Sequence, residues 1–225
     1  MTDHESCGAT GQIGCMDRLQ EISDKIRLAL DGKNEVRELA LKLSRESIRF
    51  SANSIRAAHR REWEEAESLL SESRTRVHKA KAILTEHQDI YFAGYTQDAQ
   101  KEYAEAELMQ CIVRGLPLKD PDELGIEPAP YLNALGEAIG ETRRHVLDLM
   151  RGGELARAEG LLGAMDDAYY ALVTFDYPDA VTNGLRRTTD MVRGVTERTR
   201  SDLTVSMQQS VLEKAIAEAV SKLGL

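Results

Sequence analysis

From Met16 onward the apolar residues recur at helical spacing. Leu19, Ile22, Ile26 and Leu30 step by three or four residues, and Asp31-Gly32 follows as a helix-stop signal. Val36, Leu39, Leu43, Ile48 and Ile55 predict a second helix over 34–60. Trp63, Ala66, Leu69, Leu70, Val77 and Ile83-Leu84 predict a third over 62–85. A short aromatic stretch from Tyr91 to Tyr95 precedes a fourth helix at 97–114. Residues 115–130 hold four of the five prolines and read as a loop with at most one helical turn. A fifth helix starts near Tyr131 and stops at Arg151-Gly152-Gly153, and a sixth spans 154–174. Pro178 is set up as the first residue of a seventh, running to Arg200, where Ser201-Asp202 caps a last helix at 203–222. No strand pattern and no repeat of fixed period interrupts this series. The pattern predicts an all-α protein: one bundle of about seven long antiparallel helices over 16–225, preceded by a polar, flexible segment at 1–15.

Composition narrows the class. Of 225 residues 42% are apolar and 30% charged, as in an ordinary globular chain, and the regular apolar period argues against disorder. No run approaches the ~18 apolar residues of a membrane span, and the first fifteen residues lack the basic start and apolar stretch of a signal peptide. Cys7, Cys15 and Cys111 are odd in number and form no CxxC pair, which argues against a disulfide framework or a zinc site. Reduced thiols in a cytoplasmic protein are expected. A net charge of −9 disfavours a general nucleic-acid binder, but the average hides two basic stretches.

Arg45, Arg49, Arg56 and Arg60 are spaced four, seven and four apart, which aligns them in one stripe within about 60° of the helix circumference. The segment 45–61 carries five arginines against Glu46 alone. A second stretch, 186–200, carries five against Asp190 and Glu197, and its Arg186, Arg193 and Arg200 recur every seven residues on one face. Arginine pairs bidentately with phosphate, so the stripes suit a nucleic-acid backbone. The competing reading is that they pair with acids of neighbouring helices or form a polar seam between subunits.

The acidic residues suggest chemistry of another kind. Glu102 and Glu105 lie three apart, and Glu137 and Glu141 four apart, so each pair shares a helix face. Their neighbours are small or apolar: Tyr103, Ala104, Ala106 and Leu108 around the first pair, Leu135, Ala138 and Ile139 around the second. Carboxylates aimed into such a seam repel one another unless a divalent cation neutralises them, and hard oxygen ligands suit Mg²⁺ or Mn²⁺. The alternative is a pair of ordinary solvated helix faces. A ferritin-like centre is excluded because no Glu-x-x-His pair occurs. A helical nucleotide pyrophosphatase fits poorly, since Gly140 stands where its second motif needs an aspartate. The histidines are scattered, and no phosphate-binding glycine loop is present.

The segments ALKLSRESIRFSANSIRAAHR (40–60), LGIEP (124–128), YLNALGEAIGETRR (131–144) and FDYPDAVTNGLRRTTDMVRGVTERTRSDLT (175–204) resemble the translin family, over residues 17–220. The family comprises translin, mainly an RNA- and single-stranded-DNA-binding scaffold, and translin-associated factor X, a Mg²⁺-dependent endoribonuclease subunit. Glu102-Tyr103-Ala104-Glu105-Ala106 is similar to the factor X motif, where translin has apolar residues, and Gly140-Glu141 matches the end of the other motif. Two departures stand out. Glu137 occupies the place of a catalytic aspartate, and YFAGYTQDA at 91–99 has none of the basic residues that translin carries there.

The resemblance implies a seven-helix bundle assembled into a hollow octamer, self-made or with a translin paralogue, with short RNA or single-stranded DNA inside. It further implies that Glu102, Glu105, Glu137 and Glu141 hold Mg²⁺ or Mn²⁺ and that metal-activated water cleaves the phosphodiester. Arg45, Arg49, Arg56, Arg60, Arg186, Arg193 and Arg200 would hold the backbone with little sequence preference. The alternative within the family is a passive, translin-type shell.

Overall fold

The computed structural model describes residues 10–223, and the side chains of 16–222. Among the described residues there are nine helices and no strand: α1 (Thr10–His59), α2 (Trp63–Ile83), α3 (Gln88–Tyr91), α4 (Tyr95–Arg114), α5 (Pro121–Leu124), α6 (Pro128–Arg151), α7 (Leu155–Leu172), α8 (Asp179–Thr182) and α9 (Leu185–Leu223). Six are long and three are single turns. The fold is all-α, as the apolar period requires. Of the segment expected to be flexible, residues 1–9 lie outside the described residues.

Three helix boundaries differ from the sequence reading. The first two predicted helices are one, because Gly32 stays out of the left-handed region that a terminating glycine adopts. An exposed glycine inside a helix costs only about 1 kcal/mol, which good helix formers on both sides offset. The last two predicted helices also run on as α9. Asp202 does not cap there; its carboxylate accepts a 2.7 Å hydrogen bond from Arg143 of α6. Pro178 precedes only the single turn α8, after which Asn183 and Gly184, with φ of 51° and 81°, turn the chain into α9. The proline-rich segment does hold one turn, α5, capped by Asp120 with Pro121 at its start.

The long helices lie in pairs. α4 and α6 pack against each other in the middle, α1 and α2 cover α4, and α7 and α9 cover α6. Tyr103, Leu108, Met109, Ile139, Leu149, Met165, Leu172 and Leu203 are fully buried between these layers. Small residues let α1 and α2 approach. Ser47 and Ser51 each lie 2.8 Å from the Ser73 hydroxyl, and Ser54 donates to the Ala66 carbonyl at 2.7 Å, so these buried hydroxyls are satisfied.

Both terminal helices outrun the bundle. Met16, Leu19, Ile22, Ile26, Leu28 and Leu30 of α1 are 45–77% exposed, and Val205, Val211, Leu212, Ile216 and Val220 of α9 are also exposed. No described helix is long and apolar enough to cross a membrane.

Candidate metal centre

α4 and α6 cross with their acidic residues facing one another. Glu102 and Glu105, three apart on α4, meet Glu137 of α6, and one carboxylate oxygen from each lies within 4.8 Å of the other two. Gly136, next to Glu137, faces α9: a Cβ there would stand 2.2 Å from Thr188 Cγ2, so α6 seats against α9 only with glycine at this turn. Thr188 is itself fixed, donating to Asn133 Oδ1 at 2.7 Å.

The cluster sits against the core, between the fully buried Ala104, Ala106, Ala138 and Ile139. Glu105 is the most enclosed member at 8% exposed. Burial, reinforced by the charges of Glu102, Glu137 and Glu141, pushes its carboxyl up to about 8. Burial also raises Glu102, with Lys101 opposing the shift.

Glu141, the fourth expected ligand, stands at the edge. His59 at the end of α1 donates from Nε2 to its carboxylate at 2.5 Å. That hydrogen bond, against the effect of burial, holds Glu141 below the usual carboxylate range. The structure therefore brings three of the four glutamates together and turns the fourth toward a histidine.

Lys101 closes the cluster on its other side. Its ammonium donates to Glu137 at 2.7 Å and lies 3.5 Å from Glu102. Burial alone would lower this ammonium, but the two carboxylates outweigh it and the net shift is upward. Beyond Lys101 opens a polar cavity of about 420 Å³, bounded by Lys101, Glu137, Asn183, Arg187 and Thr188. It joins the edge of the acidic cluster to the start of α9.

The arginine stripes divide. On α1, all four side chains are exposed. Arg45, Arg49 and Arg56 form no ion pair among the described residues, although Arg56 donates to Asn53 at 2.8 Å. Arg60 is paired with Glu62 at 2.5 Å and Glu65 at 3.4 Å. His59 lies about 60° around the helix from Arg56, so the stripe runs up to the edge of the acidic cluster. On α9 every member has an acid beside it: Arg186 with Asp176 at 3.4 Å, Arg193 with Asp190 at 3.6 Å and Arg200 with Asp166 at 2.6 Å. Exposed pairs of this kind hold their partners weakly and can exchange an acid for a phosphate.

Sequence reasoning missed Lys101, His59 and Arg187 as members of the site. Only the Lys101/Glu105 spacing of four gave a signal, since the other contacts depend on how helices cross. Arg187 forms no ion pair among the described residues and lines the polar cavity.

The donor set fits a hard divalent cation. All three groups are carboxylates, and neighbouring ligands of a Mg²⁺ with bonds near 2.1 Å stand roughly 3 Å apart, which small side-chain rotations reach from the present spacing.

Comparison with known proteins places this architecture. No family model matches the chain. It is 35% identical over 187 residues to an uncharacterized protein of Methanocaldococcus jannaschii, MJ0175, covering 82% of both chains. Two solved structures, AfC3PO alone and AfC3PO in complex with duplex RNA, superpose with a TM-score of 0.78 at 33% identity. They cover 84% of this chain, which in turn covers 98% and 97% of theirs. Apo-NeC3PO, at 18% identity and a TM-score of 0.71, shares the fold over 90% of this chain and all of its own.

Proposed function

The chain belongs to the C3PO/translin family, and from that membership we propose that it is a divalent-metal-dependent endoribonuclease of the factor X type, acting on RNA held inside an oligomeric shell. The observation that carries this reading is the convergence of Glu102, Glu105 and Glu137 on one face between α4 and α6. A relative whose structure has been solved with duplex RNA makes RNA the first substrate to test.

Glu102, Glu105 and Glu137 would hold the cation, with Glu141 oriented beside them by His59. A divalent cation bound there supplies charge that polarises a phosphoryl oxygen and lowers the pKa of water. The chain's own residues do the rest. Arg45, Arg49 and Arg56, which form no ion pair among the described residues, and the exchangeable Arg186, Arg193 and Arg200 hold backbone phosphates without reading bases. The packed Ala104, Ala106, Ala138 and Ile139 exclude water from the inner side of the site, where charge interactions gain strength. The exposed apolar faces of α1 and α9 suit self-association into a closed shell, proposed as an octamer, made of this chain alone or with a translin paralogue. Placement in the cytoplasm belongs to the same proposal, and Cys111 is a free, buried thiol. Single-stranded DNA is a second ligand by the same backbone chemistry.

One observation favours the passive shell. Lys101 already compensates Glu137 and Glu102, as in a purely structural ion pair. Labelled short RNA, single-stranded and duplex, separates the two readings when incubated with Mg²⁺, with EDTA, and with the Glu105→Ala variant. Internal cleavage that is lost in both controls while RNA binding persists is the expected result. Binding without cleavage in Mg²⁺ or Mn²⁺ leaves a passive shell.

A further inference from the structure

Lys101 occupies an unusual place for a lysine. Its side chain is 23% exposed, and its ammonium bridges Glu137 at 2.7 Å and Glu102 at 3.5 Å, two of the three carboxylates that converge. An ammonium there does electrostatically what a divalent cation would do, and the two cannot share the cluster, because like charges a few ångströms apart repel strongly in a half-buried setting. A cation can therefore enter only as Lys101 leaves.

The structure also offers a destination. Lys101 lines the polar cavity that Arg187, Asn183 and Thr188 also line. Arg187 is an exposed guanidinium with no ion pair among the described residues, unlike Arg186 next to it, which lies 3.4 Å from Asp176. A cavity lined by two cations and by hydrogen-bonding side chains suits a phosphodiester lying beside the carboxylates. The flexible four-carbon stem of a lysine allows its ammonium to turn from one acceptor to another without backbone motion.

We propose that Lys101 is an internal counter-ion of the acidic cluster, one that yields to the divalent cation and then, with Arg187 of the same cavity, grips the RNA phosphate next to it. This rests on the metal-dependent reading above. It assigns two phosphate-binding residues outside the arginine stripes, and it makes metal entry and substrate binding parts of one exchange.

The test uses the full-length protein, Mn²⁺ as the probe of metal binding by electron paramagnetic resonance, and a short labelled RNA. Lys101→Met keeps the length and removes the charge. It is expected to bind Mn²⁺ about tenfold more tightly than the wild type, since the competing charge is gone, and to cleave RNA more slowly at saturating Mn²⁺. Arg187→Gln is expected to leave Mn²⁺ affinity unchanged and to raise the KM for RNA. Lys101→Arg, which keeps a cation, is expected to restore much of the cleavage. Slower cleavage at saturating Mn²⁺, rescued by Lys101→Arg, is not what a merely structural ion pair gives on removal.

If Lys101→Met binds Mn²⁺ no more tightly than the wild type, the counter-ion role is overturned. Undiminished cleavage at saturating Mn²⁺ overturns the phosphate role. If Lys101→Met fails to fold, unaltered RNA binding and cleavage in Arg187→Gln overturns the shared grip. Absence of Mn²⁺ binding in wild type and variants alike defeats the metal-dependent reading itself and this proposal with it.

Discussion

Glu105 is the residue on which burial and charge act most strongly. Its carboxyl is raised from the ordinary 4.5 to about 8, so between those values the folded, metal-free chain holds a proton that the unfolded chain has lost. Stability of the metal-free protein therefore falls as pH rises through that window and levels off above it. Glu102 shifts in the same direction and adds to the slope, whereas the depressed Glu141 acts only at lower pH. Glu105→Gln removes the ionisation. In EDTA at pH 8 this variant should be more stable than the wild type by about 2–4 kcal/mol, with a flatter profile from pH 5 to pH 8. Thermal melts across that range check it, and parallel profiles for the two proteins would contradict it. Spacing alone put Glu102 with Glu105 on one helix face and Glu137 with Glu141 on another, because residues three or four apart share a face; their joining in one site was an expectation from the family resemblance. The guards of these glutamates were not legible. Lys101 and His59 meet Glu137 and Glu141 across helix crossings, and one chain's sequence does not say which helices cross where.

At the scale of the element, α6 carries the tightest constraint. Gly136 faces Thr188 across the α6–α9 contact, and Thr188 cannot give way without losing its hydrogen bond to Asn133, which in turn donates to the Thr182 carbonyl at 2.8 Å. Gly136→Ala should destabilise the fold by about 1–3 kcal/mol and displace Glu137 beside it, with metal binding lost alongside. Denaturant titration measures the first effect and Mn²⁺ binding the second; an unchanged midpoint would refute the close approach. Helix positions were legible from the apolar period, while helix ends were less so. Asp31-Gly32 carries the residues of a stop, and Ser201-Asp202 those of a cap, yet both lie inside continuous helices. Gly32 takes ordinary helical geometry, and Asp202 gives its carboxylate to Arg143. A capping residue ends a helix only when its side chain has no better partner elsewhere.

The whole molecule has a negative total charge, and two of its helices project with apolar faces that none of the described residues covers. The sequence displayed both features, but the first apolar stripe, Leu19, Ile22, Ile26 and Leu30, read as a bundle face, since a period shows that a face is apolar without showing what buries it. In the proposed shell these faces join copies, and the net charge of −9 keeps the outside soluble while the arginines of α1 line the inside. Ile22→Asp with Ile26→Asp should reduce the assembly to smaller species in sedimentation velocity while leaving helix content unchanged. RNA affinity should fall with it, because separate subunits present fewer arginines to one strand. An assembly of unaltered size would remove α1 from the contact. The proposed chemistry depends on where a divalent cation sits. Anomalous diffraction from crystals grown in Mn²⁺ locates it most directly. A peak bounded by Glu102, Glu105 and Glu137, in a protein that cleaves RNA under the same conditions, is the predicted result. RNA cleavage with no ion at those glutamates would contradict it.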